Sequence, residues 1–245
     1  MRHRAMIIGT MTAWLVCMAA VVGAQDAQEW FDRGSDAFDA GNYAKAIEYY
    51  TRTIDLNPEY AYAYNNRAWA YYFLGRYEEA LADLTRTIEL DPEDRINHYG
   101  RGVVYEQLGR YDEAIGDYTR AIELDPGYAL AYNNRAWVYT LKGDYIGALE
   151  DIEKALASIG DDDLFFLPIA LTTRGNIYRE LGRYNEAMAD TERAIELNPE
   201  YYFAYYSRGL LYEELGKARK SKADFEYACE KRIIEACDAL DTPGK

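Results

Sequence analysis

At 245 residues, 49% of them hydrophobic, the chain has enough apolar material for one or two packed domains and is not a disordered polymer. Its formal charge of −15 repels nucleic-acid phosphates and anionic lipid headgroups, so basic or neutral partners are favoured over either. Only 6 prolines and plentiful Ala, Leu, Glu and Arg favour helix, while 25 tyrosines demand assigned places.

Residues 1–24 read differently from the rest. Arg2, His3 and Arg4 precede an uncharged, mostly apolar run from Met6 to Val22, and the small residues at Val22, Gly23 and Ala24 suit cleavage before Gln25. The pattern predicts a secretory signal peptide, or a signal anchor if it is retained, since the run approaches the roughly 20 residues that span a bilayer. Cleavage removes two of 27 basic residues and none of 42 acids, leaving a charge of −17. The expectation is an exported chain, periplasmic or secreted, held at a membrane only if the leader stays.

The remainder is periodic. Arginine falls at 33, 67, 101, 135, 174 and 208, in steps of 34, 34, 34, 39 and 34, and a glycine follows eight residues after each, from Gly41 to Gly216. Five of the six glycines are followed two residues later by tyrosine (Tyr43, Tyr77, Tyr111, Tyr145, Tyr184) and five later by alanine (Ala46, Ala80, Ala114, Ala148, Ala187). Within Ala61 to Asp94, Tyr64, Ala68 and Tyr71 share one helical face that ends near Gly75, a residue able to close a helix in the left-handed conformation. Tyr77, Ala80, Leu81, Leu84 and Ile88 make a second stripe, stopped at Asp91-Pro92 because proline disfavours helix in the residue before it.

Each unit is therefore a helical hairpin, with small residues facing one another (Ala68 with Ala80, Gly102 with Ala114, Ala136 with Ala148) so that the backbones approach closely. One hairpin cannot bury both its faces, so neighbours must stack. The spacing predicts hairpins over 27–60, 61–94, 95–128, 129–162, 168–201 and 202–235, an insert at 163–167 and a C-terminal cap at 236–245.

These residues resemble the tetratricopeptide repeat family. The family pattern of aromatic, small, Gly, Tyr, Ala, aromatic and Pro stands here as Trp30, Gly34, Gly41, Tyr43, Ala46, Tyr50 and Pro58, and again from His98 through Gly102, Gly109, Tyr111, Ala114 and Tyr118 to Pro126. The resemblance implies an all-α fold, a superhelical solenoid of six hairpins with a capping helix, whose first helices line a concave groove.

Arginine occupies a position where the family usually has leucine, and in five hairpins an aspartate follows sixteen residues later: Asp83, Asp117, Asp151, Asp190 and Asp224. The spacing predicts an arginine–aspartate bridge inside each of these hairpins, which leaves the arginines little capacity to grip an acidic ligand. The insert Asp163, Leu164, Phe165, Phe166, Leu167 follows an acidic run and precedes Pro168; it reads as a helix start that adjusts local packing, or as an exposed contact patch.

After processing, Cys229 and Cys237 remain. Their Cys-x7-Cys spacing is similar to the bridge of the related Sel1-like repeats, and an oxidising compartment would permit it. A straight helix would hold them about 12 Å apart, beyond the roughly 7 Å limit of a disulfide. The chain must bend there without glycine or proline, so bridged and free forms both stay open.

No zinc-ligand spacing, phosphate loop or nucleophile elbow occurs, and His98, the single histidine of the processed chain, stands where other hairpins carry aromatics, so no cofactor and no catalysis are expected. The resemblance implies instead a peptide groove. Its groove positions carry Phe31 and Phe38 in the first hairpin, then Tyr62, Asn65, Trp69, Tyr72 and Phe73 in the second. The third supplies Tyr99, and the fourth Leu130, Asn133, Trp137 and Leu141.

Aromatic anchors bury much area with few rotamers lost, although Trp69 and Trp137 are equally suited to packing between hairpins. Glu106, Glu180, Glu213 and Glu214 make the later lining acidic. The lysine with which family members hold a terminal carboxylate is absent; Phe31, Asn65, Tyr99, Asn133, Thr172 and Tyr206 stand at that position. The expected partner is a protein or peptide with apolar anchors and basic character, without nucleic acid, and the expected role is a non-catalytic scaffold. The alternative is a regulatory or glycan-recognising subunit of an envelope enzyme assembly, since aromatics and amides also suit sugars.

Overall fold

The computed structural model describes residues 26–160 and 163–241. The leader expected at residues 1–24 lies outside them, as do Asp161 and Asp162 of the acidic run. Among the described residues every regular element is a helix, and no helix is long and apolar enough to cross a membrane.

The first helix, α1, covers residues 26–39. There follow α2 (Tyr43–Leu56), α3 (Ala61–Phe73), α4 (Tyr77–Leu90), α5 (Arg95–Gln107), α6 (Tyr111–Leu124) and α7 (Ala129–Leu141). The last six are α8 (Tyr145–Ala157), α9 (Phe166–Glu180), α10 (Tyr184–Leu197), α11 (Tyr202–Glu214), α12 (Ala218–Glu230) and the short α13 (Ile234–Asp241). The chain divides into two compact units between Asp117 and Tyr118. In the first, α3 packs on α4, and α2 and α4 pack on the helices that follow them; in the second, α7 on α8, α9 on α10 and α11 on α12 repeat the arrangement, with α13 laid against α12.

The turn inside each hairpin is built the same way. Gly75 takes φ +71°, its N–H and that of Arg76 return to the Tyr72 and Tyr71 carbonyls at 2.9 Å, and the helix end is closed. The other five periodic glycines are also left-handed. Between hairpins the proline acts as expected: α4 stops at Leu90 and Asp91 turns away from helix ahead of Pro92.

Helix contact is set by volume matching. The alanines at 46, 80, 114, 148 and 187 are wholly buried. Gly34 lies beneath the Tyr50 ring so closely that a Cβ would come within 2.5 Å of it, and Gly209 lies equally close beneath Phe225. In the second hairpin the ring is replaced by Leu84 and the glycine by Ala68, both buried in one cluster with Ala80 and Val104. A large residue on one helix is thus met by the absence of a methyl on the other.

The insert is split between a packed part and an exposed part. Asp163 Oδ1 accepts from the Phe165 and Phe166 amides at 3.0 and 2.7 Å, which caps a helix that starts at Phe166 and takes Pro168 into its first turn. Phe166 is buried and Leu167 packs against a core of Leu171, Ala194 and Ala204, while Leu164 and Phe165 stay exposed.

Cys229 and Cys237 are bridged, their Cα atoms 4.8 Å apart. The bend that the spacing requires falls between α12 and α13. Arg232 takes φ +70°, and the Ile233 amide returns to the Ala228 carbonyl at 3.1 Å, the same closure that the glycines make elsewhere. The loop that sequence reasoning could not bend is bent on an arginine.

Candidate functional site

The five expected ion pairs are present and two-pronged. Arg67 Nε and Nη2 donate to the two carboxylate oxygens of Asp83 at 2.7 Å each. Arg101 with Asp117, Arg135 with Asp151, Arg174 with Asp190 and Arg208 with Asp224 repeat the fork at 2.6–2.9 Å. A third nitrogen reaches the preceding hairpin, from Arg67 to Thr51 at 2.9 Å, from Arg135 to Thr119 at 2.7 Å and from Arg174 to Glu153 at 3.1 Å. These guanidinium groups are occupied inside the fold, so the row of arginines is architecture. Arg33, with Tyr49 in place of an aspartate, pairs with Glu29 and lies over the Trp30 ring.

His98 is buried, with Nδ1 3.5 Å from Asp117 and Nε2 3.0 Å from the Pro92 carbonyl oxygen. Burial pushes the Asp117 carboxyl up, but the hydrogen bonds from Arg101 and His98 pull it further the other way, to below the ordinary carboxylate value. The same bond raises the Arg101 guanidinium.

The groove positions of the first unit fall into two sets. Phe31 leans on Tyr50 and Tyr60 at 5.6 and 5.1 Å between ring centres, and Tyr72 is wedged between Trp69 and Tyr77; both are held in packing. Phe38, Trp69 and Phe73 instead line a cleft of about 430 Å³ together with Ser35, Asp39, Tyr50 and Asn66. Phe73 is 52% exposed, stacks on Tyr43 at 4.9 Å and meets Phe38 edge-on at 5.7 Å. Trp69 borders the cleft and also packs towards the next hairpin, where a Cβ on Gly100 would touch it at 3.4 Å.

Tyr62 is 69% exposed and, with Asn65, borders a smaller pocket of about 230 Å³ shared with Ile96 and Asn97. Asn65 Nδ2 donates to Asn97 Oδ1 at 3.1 Å, and Tyr99 is half-buried.

In the second unit Asn133 is buried, and its Nδ2 donates to Asn134 at 3.1 Å while its Oδ1 has no hydrogen-bond partner among the described residues. Such an orphan acceptor is uncommon in a folded protein. Trp137 is half-buried, with Leu130 and Leu141 exposed on the same helix. The later acidic lining is partly neutralised: Arg179 pairs with both Glu180 and Glu214.

Ser35 and Asp39 were passed over in the sequence although they lie 34 residues before Trp69 and Phe73, so the period itself marks them. Tyr50 carries no comparable signal, because its register assigns it to the hairpin interior, and Asn66 was given no role. Among the described residues no group of three or more His, Cys, Asp and Glu could hold a metal ion.

Stacked two-helix hairpins with glycine turns and buried alanine contacts define an α-helical repeat solenoid. Residues 31–94, 66–129 and 99–163 match a tetratricopeptide repeat model, 175–216 a TPR repeat model and 204–230 a further tetratricopeptide repeat model, and the chain belongs to the tetratricopeptide repeat family. Comparison with curated proteins returns no match.

Solved structures share the fold. A tetratricopeptide repeat protein from Parabacteroides merdae ATCC 43184 is 22% identical over 82% of this chain and 78% of its own, with a TM-score of 0.69. MamA is 23% identical over 72% of this chain and 93% of its own, with a TM-score of 0.60. A chain of the APC/C hetero-tetramer Cut9–Hcn1 is 18% identical with a TM-score of 0.76; the match covers 88% of this chain but only 42% of that one.

Proposed function

We propose that this chain is an exported, non-catalytic scaffold that holds a protein or peptide partner on the inner faces of its hairpins. The observation that carries the reading is the open aromatic cleft of Phe38, Trp69 and Phe73. Rings left half in water supply area to a ligand without first having to be ordered. The Cys229–Cys237 bridge and the leader pattern of residues 1–24 together support an oxidising destination.

The test is capture of partners from the native cell envelope by the exported protein and by a Trp69→Ala, Trp137→Ala variant whose fold is verified by circular dichroism. The reading expects protein partners that are lost from the variant. Partners retained undiminished by a folded variant, or turnover of a substrate by the purified protein, overturn it.

A further inference from the structure

The cleft of the first two hairpins is polarised in a way that an apolar anchor does not need. Three of its lining residues are aromatic, Phe38, Trp69 and Phe73. Others are polar and bonded to one another: the Tyr50 hydroxyl donates to Ser35 Oγ at 3.4 Å, and Asn66 Nδ2 donates to the Tyr50 oxygen at 3.5 Å. Asp39 is the one charged residue lining it, exposed on the last turn of α1. No arginine or lysine among the described residues forms an ion pair with Asp39, and the basic residues closest in sequence, Arg33 and Lys45, belong to a separate depression with Asp36 and Tyr49. The Asp39 charge is felt at Tyr50. Burial is the main reason the Tyr50 hydroxyl is pushed above its ordinary pKa, and Asp39 adds to it.

An aromatic ring presents negative potential on its face, and a cation over such faces gains most where water is partly excluded. A carboxylate at the rim adds a charge-assisted hydrogen bond, and hydroxyl and amide oxygens below offer further acceptors. An acidic side chain would be repelled by Asp39, and a purely aliphatic one would gain nothing from its charge.

Resting on the scaffold reading above, we propose that the cleft of Ser35, Phe38, Asp39, Asn66, Trp69 and Phe73 is a recognition pocket for a basic side chain of the partner, arginine or lysine, caged by the rings and paired with Asp39. The pocket places the basic anchor on the first two hairpins, at the opposite end of the chain from the acidic lining of the last two. At about 430 Å³ it has room for the side chain and the adjoining backbone.

The experiment follows the Trp69 indole N–H by NMR in the full chain during titration with Nα-acetyl-arginine amide, its uncharged isostere Nα-acetyl-citrulline amide, and Nα-acetyl-lysine amide. The arginine and lysine probes are expected to shift the indole saturably, and the citrulline probe to bind roughly tenfold more weakly. Asp39→Asn, at an exposed position that leaves the fold intact, is expected to reduce arginine binding to the citrulline level. Equal binding of citrulline and arginine, an unchanged affinity in Asp39→Asn, or no saturable shift with either cation overturns the proposal. If Trp69→Ala loses the envelope partner while Asp39→Asn keeps it, the basic pocket is refuted and the scaffold reading survives. If Trp69→Ala, Trp137→Ala keeps the partner although the cations still bind wild type, the scaffold reading is refuted instead.

Discussion

Arg67 holds both carboxylate oxygens of Asp83 at 2.7 Å and at the same time donates to Thr51 of the preceding hairpin, so one side chain joins three helices. The pair is largely removed from water, which makes its partners unequal in consequence: removing one leaves a buried charge, whereas removing both does not. Arg67→Ala or Asp83→Ala alone is expected to lower stability by about 3–5 kcal/mol. Arg67→Met with Asp83→Leu is expected to recover most of that loss. Urea unfolding of the four proteins checks it, and a double variant no better than the singles would show that the pair does more than satisfy itself.

The contact of Gly34 with the Tyr50 ring gives a second expectation. Gly34→Ala drives a methyl into the ring and should destabilise by about 1–3 kcal/mol. Adding Tyr50→Leu reproduces the Ala68 and Leu84 solution of the next hairpin and should restore part of it. The coupling energy from the double-mutant cycle is the readout, and additivity would contradict volume matching.

Opening the Cys229–Cys237 bridge by Cys229→Ser, Cys237→Ser should cost about 2.5 kcal/mol, the chain-entropy value for so short a loop. Arg232→Gly in the bridged protein should raise the melting temperature slightly or leave it unchanged, because the left-handed residue no longer carries a Cβ. A marked fall would mean that the arginine side chain itself holds the turn.

His98→Tyr restores the residue found at the same register in the second and fourth hairpins, Tyr64 and Tyr132, and removes the ring nitrogen beside Asp117. The Asp117 carboxyl should then titrate at higher pH, read by carboxyl-carbon NMR. The sign follows from its lowered folded value: Asp117 stabilises the fold fully above the ordinary carboxylate pKa of about 3.9, and that contribution disappears as pH falls through the lower folded value. The variant should therefore have less of this acid-sensitive stabilisation to lose. An unchanged Asp117 titration would remove His98 from the account.

Most of the architecture was legible because one register is written repeatedly. Glycine eight residues after each arginine fixed the turns, and a sixteen-residue interval identified five ion pairs before any distance was known, since both signals come from residues with one dominant use at that place. What escaped depends on contacts that have no period. Arg232 has no intrinsic preference for a left-handed backbone, and only the closing bond from Ile233 to Ala228 and the packing of α13 put it there. Asp163 splits its insert by capping a helix in its middle, so Phe165 faces water and Phe166 the core. The part of Tyr50 in the cleft was missed for a similar reason: Tyr50 is 1% exposed and belongs to the core by register, yet it also borders the cleft.

The fit between Gly34 and Tyr50, repeated by Gly209 and Phe225, is closed within a single hairpin. Gene rearrangements that cut at the proline-bearing junctions would transplant these two rings with the gaps made for them, although Gly100 also makes room for Leu84 and Trp69 across one such junction. Cuts at the glycine turns bring a ring against a methyl group. Duplication and exchange in this chain are therefore tolerated in whole two-helix cassettes, which sets the grain along which the molecule can be lengthened, shortened or shuffled by evolution or by an engineer.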